Sequence, residues 1–325
     1  MISTQEEWGM RYLIIGGTSI FGAGLIELLL SKQSTEFVAA TKLPDENRSV
    51  DAKLTWLDLD VRDADEVGKI VRETEPDVIF DFATQDSVGY AWQNPTETVD
   101  INVIGTINLL NAVRDHWPKA RLVIGGSGEE YGMLGFSSLP AKEAAKPQPC
   151  NIYGATKACQ TLFAKLYHQA FGLDIIVLRT FYETSVHQDE RFAVSSFCKQ
   201  FAEIQAGLRE PVLDTGNLNN IRDFTDVDDL VWAFDVTAER GISGEVYNAG
   251  NGKSTSLLDI VHILENLTGV SVEVKMSAER VRPIDSPSIY ADIEKLKNDT
   301  GWEPRISIEE MVGKLLRFWR KTLTS

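Results

Sequence analysis

The chain has 325 residues, 43% of them hydrophobic, enough to bury the core of one large α/β unit or of two closely joined domains. A net charge of −16 repels nucleic acid and anionic lipid, so neither is an expected partner, and an anionic ligand must be met by a local group of Lys and Arg. No window approaches the long uncharged apolar run of a membrane span, and three cysteines (Cys150, Cys159, Cys198) without metal or redox spacing fit a reducing cytoplasm with no metal site.

The opening MISTQEEWGM lacks a basic start and an apolar stretch, so it reads as a loose leader and not a secretory signal. The run RYLII (11–15) then reads as a strand feeding IIGGTSIFG, and an amphipathic helix is expected over 20–32. Strand, glycine loop and helix in that order are what a dinucleotide needs. Gly16 permits the tight turn, Gly22 a close approach of the helix to the sheet, and the helix N-terminus offers free N–H groups to a pyrophosphate. Ser19 stands where such loops usually carry a second glycine; its Oγ is small enough to donate to phosphate itself. An ordinary glycine-rich turn is the competing reading.

The second strand, EFVAAT (36–41), ends at Ala40-Thr41-Lys42, with Arg48 nearby. A carboxylate at such a strand end would grip a ribose 2′-hydroxyl, and Glu36 lies too early. A hydroxyl and cations suit a 2′-phosphate, which favours NADP(H) over NAD(H) unless Lys42 and Arg48 are simply solvated. Further strands are expected at 53–59, 77–82, 121–126 and 174–179, and helices near 63–74, 96–115 and 152–171. This alternation predicts an α/β fold of the Rossmann type, a doubly wound parallel sheet covered on both faces. Beyond residue 180 the pattern loosens into short helices near 228–240, 255–267 and 307–321, read as a smaller C-terminal α/β lobe. The expected division gives residues 1–180, with about 222–252, to the dinucleotide-binding part. Residues 181–221 and 253–325 go to the smaller lobe.

Two further motifs carry chemistry. Tyr153 and Lys157 stand one turn apart at the start of a helix and share a face. A nearby ammonium and the positive ring of an oxidised nicotinamide would favour the phenolate, so Tyr153 can pass a proton as hydride moves. A surface pair is the competing reading for this motif alone. The stretch IGGSGEEYG (124–132) closes the fifth strand, where doubly wound sheets bind ligands. Ser127 there would hydrogen-bond the reacting oxygen, and Glu129 would carry a proton at a neighbouring carbon unless it is an exposed loop carboxylate.

Together these motifs resemble the extended short-chain dehydrogenases/reductases, the NAD(P)-dependent nucleotide-sugar epimerases, dehydratases and reductases, over essentially the whole chain. Further matches are DVRD after the third strand, NVIGTINLL (102–110), GNLNNIRDFTDVDDL (216–230), GEVYNAGNG (244–252), RPIDSP (282–287) and TGWEPRISIEE (300–310). They look most like the GDP-sugar branch of GDP-mannose 4,6-dehydratases and GDP-4-keto-6-deoxymannose reductases, and the short span between the second and third strands favours the reductase.

The resemblance implies a catalytic set of Ser127, Tyr153 and Lys157, with Glu129 where dehydratases keep a proton-shuttling glutamate. It places the cofactor along Gly16, Thr18, Ser19, Ile20, Phe21 and Gly22, then Thr41 and Lys42, Asp60 (against adenine) and Val61, and Phe82, Ala83 and Thr84. Substrate is implied at Ser87, Ser127, Tyr182, Lys199, Arg222 and Arg282, the two arginines holding the diphosphate unless they pair with Asp223 or Asp285. Three departures touch ligand surfaces: Ser19, the DFAT of Asp81 to Thr84 in place of HLAA, and Tyr182 where an asparagine usually contacts substrate. They point to an altered substrate or cofactor fit. Reduction at C4 of a GDP-linked 4-keto sugar is the favoured activity. A 4,6-dehydratase or epimerase, with hydride returned within one cycle, is the second reading. A non-catalytic cofactor-sensing protein is the third. A homodimer through helices 96–115 and 152–171 is implied by resemblance only.

Overall fold

The computed structural model describes residues 9–44, 46, 52–277 and 286–324. The leader up to Trp8, Arg48, Arg282 and Asp285 therefore lie outside the described residues. Seven parallel strands form the main sheet: β1 (Met10–Ile15), β2 (Thr35–Lys42), β3 (Leu54–Asp58), β4 (Val78–Asp81), β5 (Arg121–Ser127) and β6 (Ile175–Thr180), and, after four short strands elsewhere, β11 (Val246–Ala249). Their order is β3-β2-β1-β4-β5-β6-β11. The reversal between β1 and β4 opens a crevice at the strand carboxyl ends, and the Rossmann-type sheet expected from the alternation is what forms.

Side chains alternate across this sheet. Tyr12 and Ile14 enter one core while Leu13 and Ile15 enter the other. The first core is covered by α1 (Ile20–Ser31) and α8 (Val227–Arg240), with Leu296 and Trp302 packed beside them. The second is covered by α2 (Ala64–Thr74), α5 (Gly105–His116) and α6 (Ile152–Phe171). Two short helices, α3 (Val88–Gln93) and α4 (Pro95–Val99), lead into α5.

The helix expected over 96–115 is not continuous. One wide π-turn, Asp100–Ile104, separates α4 from α5. It swings Asn102 fully inward, where its amide serves three partners described below.

The C-terminal lobe is built on a third core from α7 (Ala193–Gln205), α9 (Leu257–Thr268) and α11 (Ile308–Thr322). Around it run the short strands β7 (Glu183–Thr184), β8 (Val212–Thr215), β9 (Ile221–Arg222), β10 (Thr225–Asp226), β12 (Thr255–Ser256) and β13 (Glu273–Met276). Helix α10 (Glu294–Thr300) carries Leu296 back against the first core. Helix α7 was not expected, although Val194, Phe197, Cys198, Phe201 and Ala202 recur at helical spacing. Ser195 and Ser196, both buried in its first turn, interrupt that stripe.

Candidate active site

The glycine loop is held from both sides. Gly16 has φ +79°, and a Cβ on it would lie 2.8 Å from the Ala83 amide nitrogen, so only glycine fits between β1 and β4. Its N–H donates to Thr41 Oγ1 at 2.9 Å, and the Gly17 N–H donates to the Thr41 carbonyl at 2.8 Å. Thr41 is thus buried as an anchor of the loop. Gly22 packs on the loop rather than the sheet, correcting the expectation: a Cβ there would sit 2.4 Å from the Gly16 carbonyl oxygen. Ser19 has φ −66°, which any residue adopts, and its Oγ accepts from the Gly22 N–H at 3.0 Å as the cap of α1. Thr18 and Ile20 lie on the same turn into α1.

Other expected cofactor residues have prior contacts. Lys42 pairs with the Asp58 carboxylate. Asp60 accepts from the Arg62 guanidinium at 2.9 and 2.5 Å, and that cation holds its carboxyl below the ordinary value. The Val61 carbonyl accepts from Asn108 at 3.0 Å. The Phe21 and Phe82 rings turn to one another and to Phe234, centroids 4.7–5.8 Å apart, so they serve packing and leave only their backbone to the crevice. Thr84 donates to Asn102 Oδ1 at 3.0 Å, and Asn102 donates to Thr156 Oγ1 at 2.9 Å and to the Gln85 carbonyl at 3.1 Å. Asn102 therefore ties the loop after β4 to α6. It is a site residue that sequence reasoning passed over inside NVIGTINLL.

Ser127 ends β5 and Tyr153 and Lys157 stand in the first turns of α6. A second buried tie sets their spacing: Glu130 and Arg179, both within 2% exposure, form an ion pair at 2.7 Å, and Glu130 also accepts from Thr161 of α6 at 2.8 Å and from the Ser127 N–H at 3.1 Å. These partners satisfy the charges that burial would otherwise penalise.

Tyr153 is raised well above the ordinary tyrosine value, by burial first and then by Glu183, against the pull of a hydrogen bond with Ser127. Lys157 is lowered by burial, with Asp81, Glu130, Asp86 and Glu183 opposing. Burial pushes Asp81 up to about 6, against Lys157 and the Ala83 N–H. Burial likewise pushes Glu183 up to about 7, with Asp86 and Glu129 adding to it.

Glu129 is engaged at both oxygens: Tyr182 donates its hydroxyl at 2.6 Å and Asn151 its amide at 2.8 Å. Tyr182 and Glu183 in turn form one wall of a cavity of about 900 Å³ in the C-terminal lobe, with Lys199, Arg222, Gln200 and Asn217 among its lining residues. Arg222 is buried, its guanidinium 5.0 Å from the Tyr182 ring centroid. Asp223 accepts from the backbone N–H groups of Asn251, Gly252 and Ala291. It thus organises a loop, which is not the role expected of it beside Arg222. Lys199 pairs with Glu190 and lies 5.4 Å from the Trp319 ring. Ser87 caps α3, accepting from Tyr90 at 3.2 Å.

The glycine cradle fits a dinucleotide: its pinned backbone leaves no room for a side chain at Gly16, and α1 opens directly behind it. Comparison with known proteins agrees. The family profile described as GDP-mannose 4,6 dehydratase matches residues 13–315. A GDP-6-deoxy-D-mannose reductase of Pseudomonas aeruginosa is 28% identical over 260 residues, covering 80% of this chain and 85% of the relative. The structure of RMD from Pseudomonas aeruginosa complexed with NADPH superposes with a TM-score of 0.83 at 24% identity, over 96% of this chain and 100% of that one. A UDP-glucose 4-epimerase of Thermus thermophilus complexed with NAD gives 0.82 at 25% identity, over 96% and 99%.

Proposed function

This chain belongs to the GDP-mannose 4,6 dehydratase family of NAD(P)-dependent nucleotide-sugar enzymes, and from that premise we propose that it reduces the C4 keto group of a GDP-linked 4-keto-6-deoxyhexose. The observation that carries this reading is the likeness to a GDP-6-deoxy-D-mannose reductase over 80% of the chain, with Ser127 and Tyr153 brought together at the head of α6. Reduction asks Tyr153 for a proton, and oxidation of a C4 hydroxyl asks it for a base.

A nicotinamide cofactor, when bound, would supply the hydride. Gly16, Ser19 and the start of α1 would hold its pyrophosphate, and Lys157 would orient it while partly offsetting the carboxylates around Tyr153. Ser127 hydrogen-bonds the C4 oxygen, and Tyr153 gives it the proton as the carbon is reduced. Arg222 would hold the diphosphate, while Ser87, Tyr182 and Lys199 border the nucleotide sugar. Planar guanidinium forks suit phosphate oxygens.

NADP(H) is the favoured cofactor, with NAD(H) the alternative. Lys42 supports it, because a 2′-phosphate would give that ammonium an anion in exchange for Asp58. A homodimer is supported by Leu162 and Leu166 of α6 and by Ile104, which are apolar and exposed. Cytoplasmic residence is supported by the three free cysteines. Among the described residues no helix is long and apolar enough to cross a membrane.

A thermal-shift panel of GDP-, UDP- and CDP-linked sugars with each nicotinamide cofactor tests the assignment, since specific binding raises apparent stability by mass action. GDP-sugars and NADPH should give the largest upward shifts. A flat response to every GDP-sugar overturns the substrate assignment.

A further inference from the structure

Resting on the reductase reading, we propose that Tyr182 is a specificity-determining residue: it locks the Glu129 carboxylate into the scaffold and so confines this site to hydride exchange at C4. Dehydration of a hexose asks more of a site than reduction does. A base must take the C5 proton, the C6 hydroxyl must leave as water, and the hydride taken from C4 must return to C6. The net change is loss of water with no net oxidation. Reduction adds one hydride and one proton to the C4 carbonyl, and Tyr153 alone covers the proton.

Glu129 is placed two residues after Ser127 to act as such a base, but its oxygens are committed. The phenol of Tyr182 donates to Oε1 at 2.6 Å and Asn151 donates to Oε2 at 2.8 Å. Hydrogen bonds to an ionised acceptor are about twice as strong as neutral ones, so swinging the carboxylate away from its two donors is costly. Asn151 is itself fixed, because its Oδ1 caps α6 by accepting from the Gly154 N–H at 2.8 Å. The Glu129 carbonyl presses on the same turn, 2.5 Å from where a Cβ on Gly154 would stand. Glu129 is thus part of the mounting of the helix that carries Tyr153 and Lys157.

Tyr182 is braced from the other side. The Arg222 guanidinium lies 5.0 Å from its ring centroid and the Phe224 ring meets it edge-on at 6.3 Å. The lock therefore runs from the cavity wall to the start of the catalytic helix. The neighbouring carboxyls, Glu183 and Asp86, face Tyr153 and Lys157 and raise the phenol's hold on its proton.

Two measurements test this. The first needs no substrate: a double-mutant cycle in urea unfolding with Tyr182→Phe, Glu129→Gln and the pair. A charge-assisted bond predicts non-additivity of about tenfold or more in the unfolding equilibrium, and additive effects overturn the lock. The second incubates the protein with GDP-mannose and NADP⁺ in D₂O and follows product mass. The wild type should lose no water and take up no deuterium, while Tyr182→Phe gains deuterium uptake at C5. Dehydration by the wild type, or a folded Tyr182→Phe that binds GDP-mannose without that gain, overturns the proposal. If GDP-mannose binds neither protein, the double-mutant cycle alone decides the lock.

Discussion

Glu183 shows how one side chain can set both the chemistry and a cost in stability. It is half-buried at the cavity wall, its carboxyl rises to about 7, and it helps to keep Tyr153 protonated. Folding lifts the group from an ordinary 4.5, so its contribution to stability is full below about pH 4.5 and is lost as pH rises through about 7. Glu183→Gln removes the titration. It should unfold at higher urea than the wild type near pH 8, by up to about 3 kcal/mol, with the gap closing near pH 4. Equal midpoint differences at both pH values would show that Glu183 carries no such burden. That Tyr153 and Ser127 meet was legible in the sequence, because the spacing and order of their motifs place both at the strand carboxyl ends. Glu183 was not: a carboxylate after a strand reads as surface, and only the depth of the cavity makes it otherwise. The same holds for Glu130 and Arg179, visible as letters in GEEYG and LRTF but meaningful only as a buried pair across β5 and β6.

At the scale of elements, the first βα unit explains how a loop with Ser19 in place of glycine still forms. The strain sits at Gly16, with φ +79°, and not at position 19, whose backbone is ordinary. Ser19 repays its Cβ by capping α1. Ser19→Ala should therefore lower unfolding stability by about 1 kcal/mol, and Ser19→Gly by only a few tenths. Calorimetry of the two variants checks this, and a larger loss for Gly than for Ala would contradict the capping role. Six of the seven main strands and, α7 apart, the helices of eleven residues or more were readable from apolar runs and 3.6-residue periodicity. The π-turn at Asp100–Ile104 was not, because one extra residue in a helical pattern leaves the apolar spacing nearly intact. Only its consequence, the inward Asn102, betrays it. Helix α7 carried a full apolar stripe that the polar letters between its members concealed.

Across the whole molecule, a net charge of −16 sits beside a cavity wall that sets Lys199 and Arg222 among carboxylates such as Glu183. The reading depends on how those charges and Tyr153 are brought together by β5, α6 and the segment after β6. The fold, the enzyme class and the nicotinamide cofactor were legible because glycine loop, strand end and Tyr-Lys pair occur in one order along the chain. The sugar was less so, since Tyr182, Glu183 and Arg222 converge through the short strand pairs of the C-terminal lobe, which leave little periodicity to read. Reduction requires that Tyr153 deliver a proton to a C4 carbonyl as NADPH is consumed. Its most direct test compares wild type and Tyr153→Phe on a GDP-linked 4-keto-6-deoxyhexose, following loss of reduced nicotinamide and formation of the C4 alcohol. The wild type should form one alcohol per NADPH, and the variant should lose about 10²–10⁴-fold in rate with cofactor affinity kept. Equal rates in the two proteins, or alcohol formed without consumption of NADPH, would contradict it.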